Sequence, residues 1–144
     1  MATRFLGFDH VDTRVPSLAA VESFYDKLMP ALGLARKRYA NEIADGEWDY
    51  LEAGAAHNVV EYYEEASKGR AAFFIGFIED ASMTATKTRI AFRVGSPDHI
   101  GNWSELLSTI GARNIEPSAS AAYPAIFFED PAGTKLEVVA RLPE

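Results

Sequence analysis

The 144 residues, 48% of them apolar, are enough for one hydrophobic core. Fourteen Lys and Arg against 21 Asp and Glu leave a formal charge of −7, which excludes partners that need clustered positive charge, nucleic acid and anionic membranes among them. The absence of cysteine removes disulfides, thiolate metal ligands and a cysteine nucleophile, and agrees with a cytoplasmic location.

Met1-Ala2-Thr3-Arg4-Phe5 has neither a long apolar run nor a small-residue cleavage site, and no window approaches 18 uninterrupted apolar residues. The expectation is a soluble, cytoplasmic protein without a membrane span. Val11, Thr13 and Val15 then alternate with His10, Asp12 and Arg14, the period of a strand with one face on a helix and the other on something more polar. Ser17 stands where an N-cap belongs, and Leu18, Val21, Tyr25, Leu28 and Leu32 follow at helical spacing up to a stop at Gly33. Short β-prone segments come next at about 34–40, 47–53 and 72–78. Residues 58–65 are ambiguous: β-propensity favours a strand, charge spacing a helical turn. The expectation is an insertion, within 56–68, between the third and fourth strands. Ala81 to Thr86 is small and polar, a linker.

The pattern then repeats. At an offset of 79 residues, Arg14, Val15 and Ser17 meet the identical Arg93, Val94 and Ser96, and Val11 meets Ile90. Ile90, Phe92 and Val94 alternate with Arg89, Ala91 and Arg93; Ser96 and Pro97 suit a helix start. Ile100, Trp103, Leu107 and Ile110 recur at helical spacing before Gly111. Three more β-prone segments follow at about 112–116, 123–129 and 134–141, the last two joined by the turn signal Asp130-Pro131-Ala132-Gly133. The chain reads as one α+β domain over 1–144, made of two βαβββ modules in tandem, 5–80 and 87–141.

Gly7-Phe8-Asp9-His10-Val11, the helix ending Leu32-Gly33-Leu34, Thr88 to Val94 and above all Phe128-Glu129-Asp130-Pro131-Ala132-Gly133-Thr134-Lys135-Leu136-Glu137 carry a likeness to a known family. The chain resembles the vicinal oxygen chelate superfamily of glyoxalases, bleomycin-resistance proteins and extradiol dioxygenases. The resemblance implies curved mixed sheets around a cleft, a small-molecule ligand, a homodimer, and metal ligands on the first and last strands of each module. His10 matches the first histidine of that set and Glu137 the terminal glutamate. Arg89 stands where the second histidine belongs, and the remaining position falls near Phe73. A catalytic divalent ion needs about three protein ligands, and a guanidinium offers only donors. The expected metal site is therefore incomplete, reduced to His10 and Glu137, with Arg89 placed to pair with Glu137.

The candidate catalytic residues are His10, Glu137 and Arg89. His10 has a bland reading as a hydrogen-bonded strand residue, Glu137 as a solvated one. Arg89 either neutralises Glu137 or holds an anionic or carbonyl-bearing ligand. Phe73, Ile75, Tyr123 and Phe127, with Tyr62 and Tyr63, are candidates for an aromatic and apolar ligand wall. Asp12, Arg14 and Arg93 lie toward strand ends and read as solvent-exposed charges. His99 is expected to be exposed, His57 is a weak candidate for covering the cleft, and Glu61, Glu64 and Glu65 read as a solvated acidic face. No phosphate-binding glycine loop, nucleophile elbow or His-Glu-x-x-His helix is present. Two function classes remain. One is a lyase, isomerase or dioxygenase-like enzyme, with a bound metal as Lewis acid or, without one, His10 or Glu137 moving a proton. The other is a non-catalytic, metal-free protein that binds a drug or metabolite.

Overall fold

The computed structural model describes residues 3–143. The first half runs β1 (His10–Val15), α1 (Leu18–Ala31), β2 (Arg36–Ala44), β3 (Glu47–Leu51), β4 (Val59–Tyr63) and β5 (Phe74–Glu79). After it come β6 (Arg89–Arg93), a 3-10 turn (Pro97–His99), α2 (Ile100–Ile110), β7 (Arg113–Pro117), β8 (Ala125–Glu129) and β9 (Lys135–Val139). The strands form two mixed sheets, ordered β1-β5-β4-β2-β3 and β6-β9-β8-β7. In each, the first strand pairs in parallel with the last, and the other pairings are antiparallel. No helix of the described residues is long and apolar enough to cross a membrane.

The local signals behave as expected. Ser17 is extended and its Oγ accepts from the Ala20 amide at 3.3 Å, and Ser96 does the same for Asp98. Gly111 ends α2 at φ 95°, a left-handed conformation that an L side chain strains to adopt.

Superposing the two strand orders makes β6, β9, β8 and β7 the counterparts of β1, β5, β4 and β2. Residues 58–65, expected as an insertion, instead supply β4, the centre of the first sheet. The edge strand β3 is the element without a counterpart. Charge misled the expectation. Glu61 is wholly buried, not part of a solvated face, because β4 has neighbours on both sides and its even-numbered residues, Val60 and Tyr62, join the core.

One core spans both modules. Val15, Leu18, Val21, Phe24, Tyr25, Leu28 and Phe77 of the first pack in the same cluster as Leu107, Ile126, Phe128, Leu136 and Val138 of the second. Tyr25, wholly buried, stacks on Phe77 with centroids 3.7 Å apart and donates its hydroxyl to buried Asp130 Oδ2 at 2.6 Å. The other oxygen, Oδ1, accepts from the amides of Ala132 and Thr134. One carboxylate thus closes the β8–β9 turn and fastens α1 to the other module. Burial, then the charge of Asp130, pushes the Tyr25 phenol well above its ordinary pKa, so it stays a donor. Tyr25→Phe leaves Asp130 Oδ2 without that donor and is expected to cost about 1.5–3 kcal/mol, read from denaturant unfolding.

On the helix side of the first sheet, Glu22 and Asp26 of α1 receive Lys37 Nζ at 2.6 and 2.8 Å, and Tyr62 donates to Asp26. His57 belongs to this cluster and does not cover the opposite face. Nδ1 faces the Ala55 carbonyl and Nε2 faces Glu22 Oε1, each at 2.8 Å. Burial lowers its pKa, but the hydrogen bonds to Ala55 and Glu22 and the charge of Glu22 outweigh that and leave it raised from 6.5. A raised folded-state pKa favours folding fully below the unfolded value, and the contribution fades as pH rises through the folded one. Unfolding midpoints between pH 6 and 9 are therefore expected to fall more in the parent chain than in His57→Gln; parallel pH profiles would refute the linkage.

Candidate functional site

The pleat sorts the chemistry. In β1, Val11 and Val15 turn to the core, while His10, Asp12 and Arg14 lie on the helix-free face. In β5, Ile75 and Phe77 turn inward, leaving Phe74, Gly76 and Ile78 on the helix-free face. In the second sheet, Ile90, Phe92, Leu136, Val138, Ile126 and Phe128 pack on the core, and Arg89, Ala91, Arg93, Glu137, Val139 and Phe127 take the other side. Ile75 is thereby fully buried in the core and Phe73 packs against it, so neither reaches a helix-free face. Tyr123 and Phe127 do share the face of Glu137 and Arg89.

Register also fixes the counterpart of Glu137. His10 lies opposite Phe74 and Asp12 opposite Gly76; Arg89 lies opposite Lys135 and Ala91 opposite Glu137. Since His10 corresponds to Arg89 and Asp12 to Ala91, Glu137 corresponds to Gly76. The placement near Phe73 is corrected by three residues, because matching module ends ignored the strand register. A Cβ on Gly76 would stand 2.7 Å from Asp12 Oδ1 and 3.6 Å from Glu61 Cγ, so two neighbouring carboxylate side chains occupy the space.

On the first sheet, the His10 ring stacks on Phe74 at 4.5 Å and 4°, with Nδ1 2.7 Å from Asp9 Oδ2 and Nε2 3.6 Å from Asp12 Oδ2. Arg14 is not a free surface charge: it meets Glu42 at 2.7 Å, with Asp45 and Asp80 at 3.5 Å. Glu61 Oε1 accepts from Tyr50 and Tyr63 at 3.0 and 2.8 Å, and its buried Oε2 has no partner among the described residues. Arg38 lies over both tyrosine rings, at 5.3 and 5.0 Å.

On the second sheet, Glu137 is 5% exposed and its Oε1 accepts from Tyr123 Oη at 2.6 Å. Arg89 makes no ion pair with it. The guanidinium lies 4.7 Å from the centre of the Phe127 ring instead. The hydrogen bond to Glu137, then burial and the carboxylate charge, raise the Tyr123 pKa, while the positive charges of Arg141 and Arg89 oppose the shift. Beside this pair opens a pocket of about 650 Å³, lined by Phe5, Gly7, Phe8, Ala91, Arg93, Tyr123, Val139 and Arg141. The sequence reading missed Phe5, Phe8 and Arg141. Arg141 was within reach, since it continues the alternation of Glu137 and Val139; the folding of the N-terminal segment beside β6 leaves no local signal.

The residues present do not fit the divalent metal implied by the resemblance. Among the described residues, no three His, Cys, Asp or Glu side chains are grouped to hold an ion. Arg89 and Gly76 stand at two of the four ligand positions, and Glu137 already takes a phenol. A chelated cation would have to displace that bond and sit beside uncompensated guanidinium charge.

Among solved structures, a glyoxalase/bleomycin resistance protein from Albidiferax ferrireducens T118 aligns with a TM-score of 0.63 at 18% identity, covering 94% of this chain and 98% of that one. Two fosfomycin resistance proteins FosX align as well. That of Mesorhizobium loti has a TM-score of 0.56 at 12% identity, over 96% and 95% of the two chains. That of Listeria monocytogenes, a mutant complexed with Mn(II) and 1S,2S-dihydroxypropylphosphonic acid, has a TM-score of 0.54 at 14% identity, over 96% and 93%. At these identities the likeness establishes the fold. No curated protein matches the sequence. The model of the Glyoxalase/Bleomycin resistance protein/Dioxygenase superfamily matches residues 7–138, nearly the whole chain, and the protein belongs to that superfamily.

Proposed function

We propose that this protein binds a small organic molecule on the helix-free face of its second sheet, with no chelated divalent ion in the site. The observation that carries the reading is the pocket of about 650 Å³ beside the Tyr123–Glu137 pair. That volume falls within the range of small-molecule sites, and Phe5, Phe8 and Val139 supply apolar wall beside a few polar groups. Superfamily membership supports the class of function without naming the ligand.

A second reading, an enzyme that moves a proton, rests on the 2.6 Å bond between Tyr123 and Glu137. In it Glu137 is the base that takes the substrate proton and later returns it, Tyr123 holds that carboxylate in place, and Arg89 steadies developing negative charge. Catalytic Glu137 would make Glu137→Gln bind ligand normally and lose turnover.

The fluorescent probe N-phenyl-1-naphthylamine, neutral and largely apolar, tests the pocket. It is expected to bind saturably and one to one. Ala91→Phe, at an exposed lining position, is expected to weaken it about tenfold without lowering the unfolding midpoint, because the ring occupies the cavity. No saturable binding, or unchanged affinity in Ala91→Phe, would sink the reading.

A homodimer is part of the same proposal, supported by the exposed Leu6 together with Phe5 and Phe8, which line the pocket and leave most of their rings in water at its rim. Sedimentation equilibrium is expected to give twice the 15.8 kDa chain mass; a single chain at all concentrations would refute it.

A further inference from the structure

The second sheet carries charge that the fold itself does not use. Most cations of the first module are engaged: Arg14 with Glu42, Asp45 and Asp80, Lys37 with Glu22 and Asp26, Arg36 with the Glu64 carbonyl, and Arg70 with Glu64. Arg89, Arg93 and Arg141 differ. Among the described residues, none of the three has a carboxylate within ion-pairing distance.

Their placement follows from the pleat. Arg89 and Arg93 lie on one face of β6, and Val139, two residues before Arg141, pairs with Arg93. Arg93 and Arg141 therefore line the same pocket, on the side of Tyr123, while Arg89 stands over Phe127. The neighbouring acid, Glu137, is not part of the lining and is covered by the Tyr123 hydroxyl. In a chain of net charge −7, two guanidinium groups, Arg93 and Arg141, that meet at one cavity with no carboxylate partner among the described residues mark where a negative group lowers the electrostatic energy.

Resting on the proposed pocket, we infer that its ligand is a small organic anion, an oxyanion held by Arg93 and Arg141 with its carbon skeleton against Phe5, Phe8 and Val139. Guanidinium groups match a carboxylate or a phosphonate equally in kind, by paired N–H donors toward oxygen. Arg89 lies farther along the strand and adds long-range attraction. Tyr123 spends its one hydroxyl proton on Glu137 and so screens that acid from the oxyanion, which leaves the holding to the cations. The apolar lining selects against inorganic phosphate alone, since a bare ion would leave Phe5, Phe8 and Val139 in contact with water.

Displacement of N-phenyl-1-naphthylamine tests this. The competitors are 1-naphthoate, 1-naphthylphosphonate, inorganic phosphate and the neutral 1-naphthamide. The proteins are the parent chain, Arg93→Gln, Arg141→Gln and, as control, Arg113→Gln, whose side chain donates to the Pro131 carbonyl away from the pocket. The naphthyl anions are expected to displace the probe at concentrations about tenfold below the amide, a difference of about 1.4 kcal/mol. Added salt should shrink that advantage, Arg93→Gln and Arg141→Gln should remove most of it, and Arg113→Gln should keep it. The ratio of carboxylate to phosphonate potency identifies which oxyanion fits. Equal potency of acid and amide, or an advantage that survives both substitutions, overturns the anion inference and leaves the pocket standing. Inorganic phosphate as effective as the naphthyl acids overturns it too, reducing the site to a surface ion contact. Failure of the probe itself to bind removes the pocket reading and the inference with it.

Discussion

The bond between Tyr25 and Asp130 ties the first module to the strand pair that presents Glu137. It lies in the core shared by the modules, it joins residues 105 apart in sequence, and both of its ends are buried. Asp130 is an acid with no cation partner among the described residues, held by a phenol and two amides of its own turn. A buried carboxylate persists only where donors replace its lost hydration. The β8–β9 turn is consequently fixed relative to α1, and with it the strand that presents Glu137.

The two modules answer the same structural problem with different chemistry. In each, an acid lies on the helix-free face and is held by tyrosine hydroxyls. In the first sheet it comes from β4, as Glu61, and the facing position of β5 is Gly76. In the second it comes from β9, as Glu137, and the facing position of β8 is Phe127. Moving the acid by one strand changes its surroundings. Glu61 sinks fully, roofed by Tyr50, Tyr63 and Arg38, and retains an oxygen without a partner among the described residues. Glu137 stays at the edge of an open cavity flanked by arginines. Of the two acids, Glu137 is the one beside the cavity of about 650 Å³.

Much of the fold was legible because its signals are local. The alternations at 10–15 and 89–94, the caps at Ser17 and Ser96, the stop at Gly111 and the Asp130 turn each depend on a few neighbouring residues. The central strand β4 was not, because Glu61 argues for solvent until its neighbours on both sides are known. Of the residues singled out from the sequence, Glu137, Arg89, Tyr123 and Phe127 share one face. Phe73 and Ile75 were not correctly placed, because a slip in register carries a side chain across the sheet. The predicted Arg89–Glu137 pair failed for a related reason: the acid found a phenol, and the guanidinium an aromatic ring.

The sequence by itself determined that the chain is a duplicated βαβββ unit of α+β class, and that arginine stands where the second metal-binding histidine of the resemblance belongs. Periodicity, capping and residue type are properties of short stretches, readable before anything folds. Only the tertiary structure decided that Gly76 is the counterpart of Glu137, that Tyr123 covers that acid, and that Phe5, Phe8, Arg93 and Arg141 meet around one cavity. Those relations join residues far apart in the chain, and they exist only once strand register and the shared core have brought them together.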